Sequence, residues 1–155
     1  YRKMGEYEKA VEDYTKAIDI NPRHCRAYYN RAFSHDRLGN LQLAIADYTE
    51  ALKIEPQNAT ACHNRGSLLE RLGKLEEALK DFNRAIELDS GAAFSYNARG
   101  LVLEKMRCSD EALTNFERAV SLESSSPAFR SNRAMCYRNR GLYDEVAHLL
   151  IANSS

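Results

Sequence analysis

Similar residues return every 34 positions along this 155-residue chain. Glycines recur at Gly5, Gly39, Gly73 and Gly141, and only Arg107 breaks the series. Small residues follow at Ala10, Ala44, Ala78 and Ala112, and again at Ala17, Ala51, Ala85 and Ala119. A third small series runs Ala32, Gly66, Gly100 and Ala134, and an aromatic one Tyr14, Tyr48, Phe82 and Phe116. Pro22 and Pro56 close the first two copies, and Ser90 and Ser124 take their places later. A period of this length marks one supersecondary unit repeated and stacked, each copy burying its apolar face on the next.

Within a copy the pattern is helix, turn, helix. Residues 25–38 form one apolar-periodic helix, Gly39 supplies the turn, and residues 41–54 form the second helix. Pro56 cannot extend that helix and helps stop it. Each helix of about 14 residues spans roughly 21 Å. The second helix carries an apolar stripe of Leu41, Ala44, Ile45, Tyr48, Ala51 and Leu52, with alanine at two places where an ordinary core wants bulk. Ala32 facing Ala44 and Ala51 lets the two backbones approach closely while Tyr48 fills the space beside them. The alanines are the contact seam of a helical hairpin.

This pattern resembles the tetratricopeptide repeat family. It is carried by Ala32, Gly39, Ala44, Tyr48, Ala51 and Pro56 in one copy, and by Gly66, Gly73, Ala78, Phe82 and Ala85 in the next. The resemblance covers essentially the whole chain. It implies an all-α fold, a right-handed α-solenoid or superhelix of stacked antiparallel helix–turn–helix units in a single array. The units expected are 25–58, 59–92, a degenerate 93–126 departing at Arg107 and Ser124, and a degenerate 127–155 with a shortened second helix. In the last, Val146 and Asn153 hold the alanine places. Residues 1–24 read as a partial repeat with the second helix only, Tyr1 to Met4 being the last turn of a first helix that is absent. The chain is thus expected to be a fragment of a longer repeat protein. Its uncapped ends leave it a monomer or weakly self-associating.

Arginine recurs on the core-facing stripe of the first helices, at Arg31, Arg65, Arg99 and Arg133. A guanidinium buried there needs a hydrogen-bonding counter-charge. Within units the partners are Asp47, Asp81 and Asn115, which leaves Arg133 facing Leu149. Across units they are Asp13, Asp47, Asp81 and Asn115, which leaves none unmatched. The tally favours the second pairing. The geometry favours the first, because Asp47 lies on the flank of Ala44 and Ala51 that touches its own partner helix.

Lys+Arg and Asp+Glu both number 22, and this balance gives no ground for nucleic acid or a membrane surface as partner. The longest apolar run, residues 146–152, is far short of the roughly 18 residues a membrane span needs. Cys25, Cys62, Cys108 and Cys136 lie 28 or more residues apart with no metal-type pairing, and read as reduced thiols in a cytoplasmic, reducing compartment. No phosphate loop, nucleophile elbow or zinc-type histidine pair is present, so neither an enzyme active site nor a cofactor is expected.

The opposite face of each first helix needs a different occupant. It reads Arg26, Tyr29, Asn30, Phe33 and Arg37, then His63, Asn64, Ser67 and Arg71. The later copies show Asn97, Leu101 and Lys105, then Asn132 and Met135. The resemblance implies that stacking turns this face into a concave groove for a peptide of a protein partner, extended or helical and somewhat acidic. Similar asparagine columns line the repeat superhelix of O-linked N-acetylglucosamine transferases. The family's clamp for chaperone tails needs Lys, Asn, Asn, Lys and Arg. Here Tyr29, Phe33, Asn64, Phe94 and Ala98 stand in those places, so only Asn64 fits and a chaperone tail is not the expected ligand. A scaffold or adaptor is the leading expectation. A substrate-recruiting arm of a larger, glycosyltransferase-like enzyme and an architectural subunit of an assembly are the alternatives.

Overall fold

A computed structural model describes residues 2–154, without the side chains of Arg2, Glu145 and Val146. The described residues form eight helices and no strand: α1 Arg2–Ile20, α2 Cys25–Arg37, α3 Leu41–Ile54, α4 Ala59–Arg71, α5 Leu75–Leu88, α6 Ala93–Lys105, α7 Ser109–Leu122 and α8 Pro127–Asn153. The chain divides into two compact units between Asp89 and Ser90. In the first unit, α2 pairs with α3 and α4 with α5, while α1 packs on α2 and α3 on α4. In the second, α6 pairs with α7, and α8 packs on α7 and on α6.

Local chemistry starts and stops these helices. The side chains of His24, Asn58 and Ser126 accept hydrogen bonds from the first-turn amides of Ala27, Ala61 and Phe129. Gly39 and Gly73 take φ of +79° and +78°, and the next amide reaches back to the helix: Asn40 N–H to the His35 carbonyl at 2.8 Å, Lys74 N–H to that of Leu69 at 2.9 Å. This is the Schellman closure that a left-handed residue permits. Arg107 adopts the same conformation at φ 62°, and Cys108 closes on Leu103 at 2.9 Å. The turn therefore survives the loss of its glycine.

The seam is as tight as the alanines imply. Ala32, Ala44, Ala51, Ala78, Ala85, Ala112 and Ala119 are at most 1 % exposed, as are Tyr48, Phe82 and Phe116. At Gly100 the aromatic ring lies directly against the opposing backbone: an added Cβ would stand 2.6 Å from Cε1 of Phe116.

Both ends depart from the expectation. α1 runs unbroken through Gly5, so Met4 belongs to the same helix and not to an earlier one, and Tyr1 lies outside the described residues. α8 runs unbroken through Gly141, so residues 127–155 contain no second helix, shortened or otherwise, among the described residues. The cause at Gly141 is visible in the residues around it. Arg140 stands where Leu38, Leu72 and Met106 precede the other turns, and Leu150 and Asn153 replace the core aromatic and the seam alanine. With no seam to bury, the continued helix keeps every backbone hydrogen bond and a fold-back gains nothing. The Val146 side chain, at the other alanine place, is outside the described residues.

The arginines take the within-unit partners. Arg31 meets both Asp47 oxygens at 2.8 Å, and Arg65 meets both Asp81 oxygens at 2.7 Å. Arg99 donates to Asn115 Oδ1 at 2.7 Å. Each also reaches backwards in the first unit, Arg31 to the Thr15 hydroxyl at 3.1 Å and Arg65 to that of Thr49 at 3.2 Å. One guanidinium thus ties three helices: its own, its hairpin partner and the preceding second helix. Bidentate charge-assisted bonds of this kind are the strong ones.

Candidate binding face

In the first unit the face opposite the seam is built by α2 and α4. Arg26, Phe33, Arg37 and Arg71 are exposed, while Tyr29, Asn30, His63, Asn64 and Ser67 are half-buried. The asparagines that share a register do not share a state. Asn64 donates to the Tyr29 hydroxyl at 3.1 Å and the Tyr48 hydroxyl at 3.3 Å, and so joins the floor. Burial pushes Tyr48 up to about 12, so this hydroxyl stays protonated. Among the described residues the Asn30 carboxamide has no such partner, and it borders an open hollow of about 470 Å³ with Arg26, Tyr29 and Thr60. That size lies within the range of ligand pockets.

Phe33 is 39 % exposed and held from two sides. The Tyr7 ring meets it edge-on at 6.3 Å, and the Arg37 guanidinium lies 5.0 Å from its centroid. Tyr7 was not evident from sequence, because it belongs to α1 and not to a first helix. His63 packs on Phe82 at 5.4 Å, and burial lowers its pKa, so it is a neutral part of the wall. Arg71 is ion-paired with Asp36 at 2.6 Å, which neutralises one of the three arginines expected to favour acidic ligands.

In the second unit α6 and α8 form the corresponding face. Asn132 donates to Asn97 Oδ1 at 2.9 Å, Leu101 is half-buried, and Met135 and Lys105 are exposed. Three bonds between neighbouring first helices share one arithmetic: Asn64 with Tyr29, Arg71 with Asp36, and Asn132 with Asn97 are all 35 residues apart. That is one more than the repeat. A sequence search for pairs at 35 residues would have found Asp36.

Among the described residues no group of histidines, cysteines and carboxylates could hold a metal ion, and no helix is long and apolar enough to cross a membrane. The face of the first unit offers hydrogen bonding, an aromatic platform and two cations, Arg26 and Arg37, without an ion pair among the described residues. These are means of recognition.

Comparison with known families matches "TPR repeat" over residues 1–39, "Tetratricopeptide repeat" over 25–58 and 59–91, and a further "Tetratricopeptide repeat" over 97–147. Curated proteins give no match. Among solved structures, MamA superposes with a TM-score of 0.86 at 22 % identity, covering 95 % of this chain and 86 % of that one. YrrB, described as "a TPR protein with an unusual peptide-binding site", gives 0.75 at 30 % identity, covering 87 % and 70 %. The "First TPR of Spaghetti (RPAP3) bound to HSP90 peptide SRMEEVD" gives 0.74 at 23 % identity, covering 76 % and 93 %.

Proposed function

The chain belongs to the tetratricopeptide repeat family, and on that premise we propose that it is a non-catalytic interaction module whose α2–α4 face holds a peptide of a protein partner. The observation that carries this reading is the Asn30 carboxamide, without a hydrogen-bond partner among the described residues and beside an open hollow, one turn from the exposed Phe33. A carboxamide both donates and accepts, so it can pair with a peptide's backbone without reading its side chains. Phe33, braced by Tyr7 and Arg37, is an anchor whose ordering cost is already met.

Arg26 and Arg37 bias the face toward acidic peptides, more weakly than three arginines would. That bias fades as salt rises. In the second unit the same role falls to Leu101 and Met135 beside the bonded Asn97–Asn132 pair, with Lys105. The peptide-bound and peptide-binding relatives support the reading, while Tyr29 and Phe33 at the clamp places speak against a chaperone tail. The buried thiols of Cys25, Cys62 and Cys136 suit a reducing, cytoplasm-like compartment.

The test is selection of peptides from a displayed random library, followed by titration of the best binder. Asn30→Ala should weaken it about three- to tenfold, and Phe33→Ala more than about tenfold. Unchanged affinity in both variants, with helicity intact, would move the site off this face.

A further inference from the structure

Two opposite charges line the open hollow of the first unit without meeting. Arg26 stands on α2, and Glu55 on the segment that joins α3 to α4. Both are exposed, and neither forms an ion pair among the described residues. The hollow lies between α2 and α4, so internal elements of the chain supply its walls. Beside Glu55 the Cys25 thiol is held above its ordinary value, by burial first and then by the Glu55 carboxylate, so it stays neutral. Glu55 is therefore the one negative charge among the residues that line this space.

The other walls suit a cation. An ammonium brings three donors and a guanidinium five, so either needs acceptors besides a counter-charge. The Thr60 hydroxyl and the Asn30 carboxamide border the same space, and each can accept. The Tyr29 ring lines it too, and an aromatic ring attracts a cation over its face. Access depends on Thr60. Its register is held 34 residues later by Phe94, whose ring packs on Phe129 at 5.2 Å. A small residue at 60 keeps the hollow open. Arg26 opposes a lone cation there, and favours one that arrives with an acid beside it.

We propose that the hollow holds a lysine or arginine side chain of the bound peptide against Glu55, while an acidic neighbour in the same peptide meets Arg26. This rests on the peptide-binding reading of the α2–α4 face and narrows its ligand. The peptide is of mixed charge, with basic and acidic residues side by side, and not simply acidic. Glu55 selects the basic residue, and Thr60 gives it room.

A displayed random peptide library selected on the 155-residue chain tests this, with circular dichroism as the folding control. The binders should be enriched in a lysine or arginine next to an acid. In the best binder, replacing the basic residue with glutamine should weaken binding about three- to tenfold on the wild type and less than about twofold on Glu55→Gln. Glu55→Lys should reverse the preference and favour an acid at that position. Thr60→Phe, a residue the chain already carries in this register, should exclude the basic side chain and cost a similar factor. Binders that weaken with Phe33→Ala but treat Glu55→Gln and Thr60→Phe as the wild type would overturn this inference and leave the peptide face standing. So would enrichment of acidic residues alone. Binders indifferent to Asn30→Ala and Phe33→Ala, or a library that yields none, would remove the face and this inference with it.

Discussion

Asn64 donates its carboxamide to the hydroxyl of Tyr29, 35 residues earlier and on the neighbouring first helix, at 3.1 Å. This bond separates two asparagines that sequence alone places in one column. Asn64→Ala should lower stability by about 0.5–1.5 kcal/mol, the worth of a typical neutral hydrogen bond, and change peptide affinity little. Asn30→Ala should do the reverse. Chemical denaturation beside binding titrations of both variants would show the split, and equal effects on both quantities would count against it.

The arginine brace predicts where coupling is found. A double-mutant cycle on Arg65 and Asp81 should return about 1–3 kcal/mol, as expected for side chains in direct contact. The same cycle on Arg65 and Asp47 should return close to zero. Significant coupling in the second pair would mean that the across-unit carboxylate is the real partner.

Two glycines should respond to alanine with opposite signs. At Gly100 the new methyl meets the Phe116 ring at 2.6 Å, and overpacking should cost about 1–3 kcal/mol. At Gly141 nothing lies within 4 Å and the backbone is helical, so alanine should add about 0.5–1 kcal/mol. Thermal unfolding of each variant decides. A destabilising Gly141→Ala would mean that the chain turns there after all.

Acidification should weaken the fold. Burial is the main cause lowering both His35 and His63 below the ordinary 6.5; for His35 the nearby Arg31 adds to this and Asp47 opposes it. With folded values depressed, the unfolded chain takes up protons first. Stability from these groups is therefore complete above about pH 7 and is lost as pH falls through 6.5 toward the folded values. His63→Phe keeps a ring against Phe82 and should flatten the fall of Tm between about pH 7 and pH 5. An unchanged slope would exclude His63 as a contributor.

The 34-residue period, the alanine seam and the turn at Gly39 were all legible in the sequence, because each depends on residue type at fixed spacing. The ends were not. Gly5 and Gly141 sit in the turn register, yet a glycine only permits a turn, and the packing of two helices must require it. Arg107 shows the converse: flanking helices that pack well impose the turn on a residue that resists it. The Thr15 and Thr49 bonds were hidden for another reason, since they join a helix to the hairpin that follows and no spacing rule within a unit reveals them. Asn30 and Asn64 look alike in the sequence and differ only in which hydroxyls face them.

The 35-residue spacing of the cross-helix bonds matters to anyone rewriting this face. Copying a recognition residue from α2 to α4 by repeat register keeps its direction on the new helix, whereas entering it one place later turns the side chain about 100° around the axis, toward the flank where the 35-residue bonds form. A graft meant to present two side chains abreast therefore follows the repeat count, and one meant to tie two repeats together is entered one place later, as the bonded pairs are.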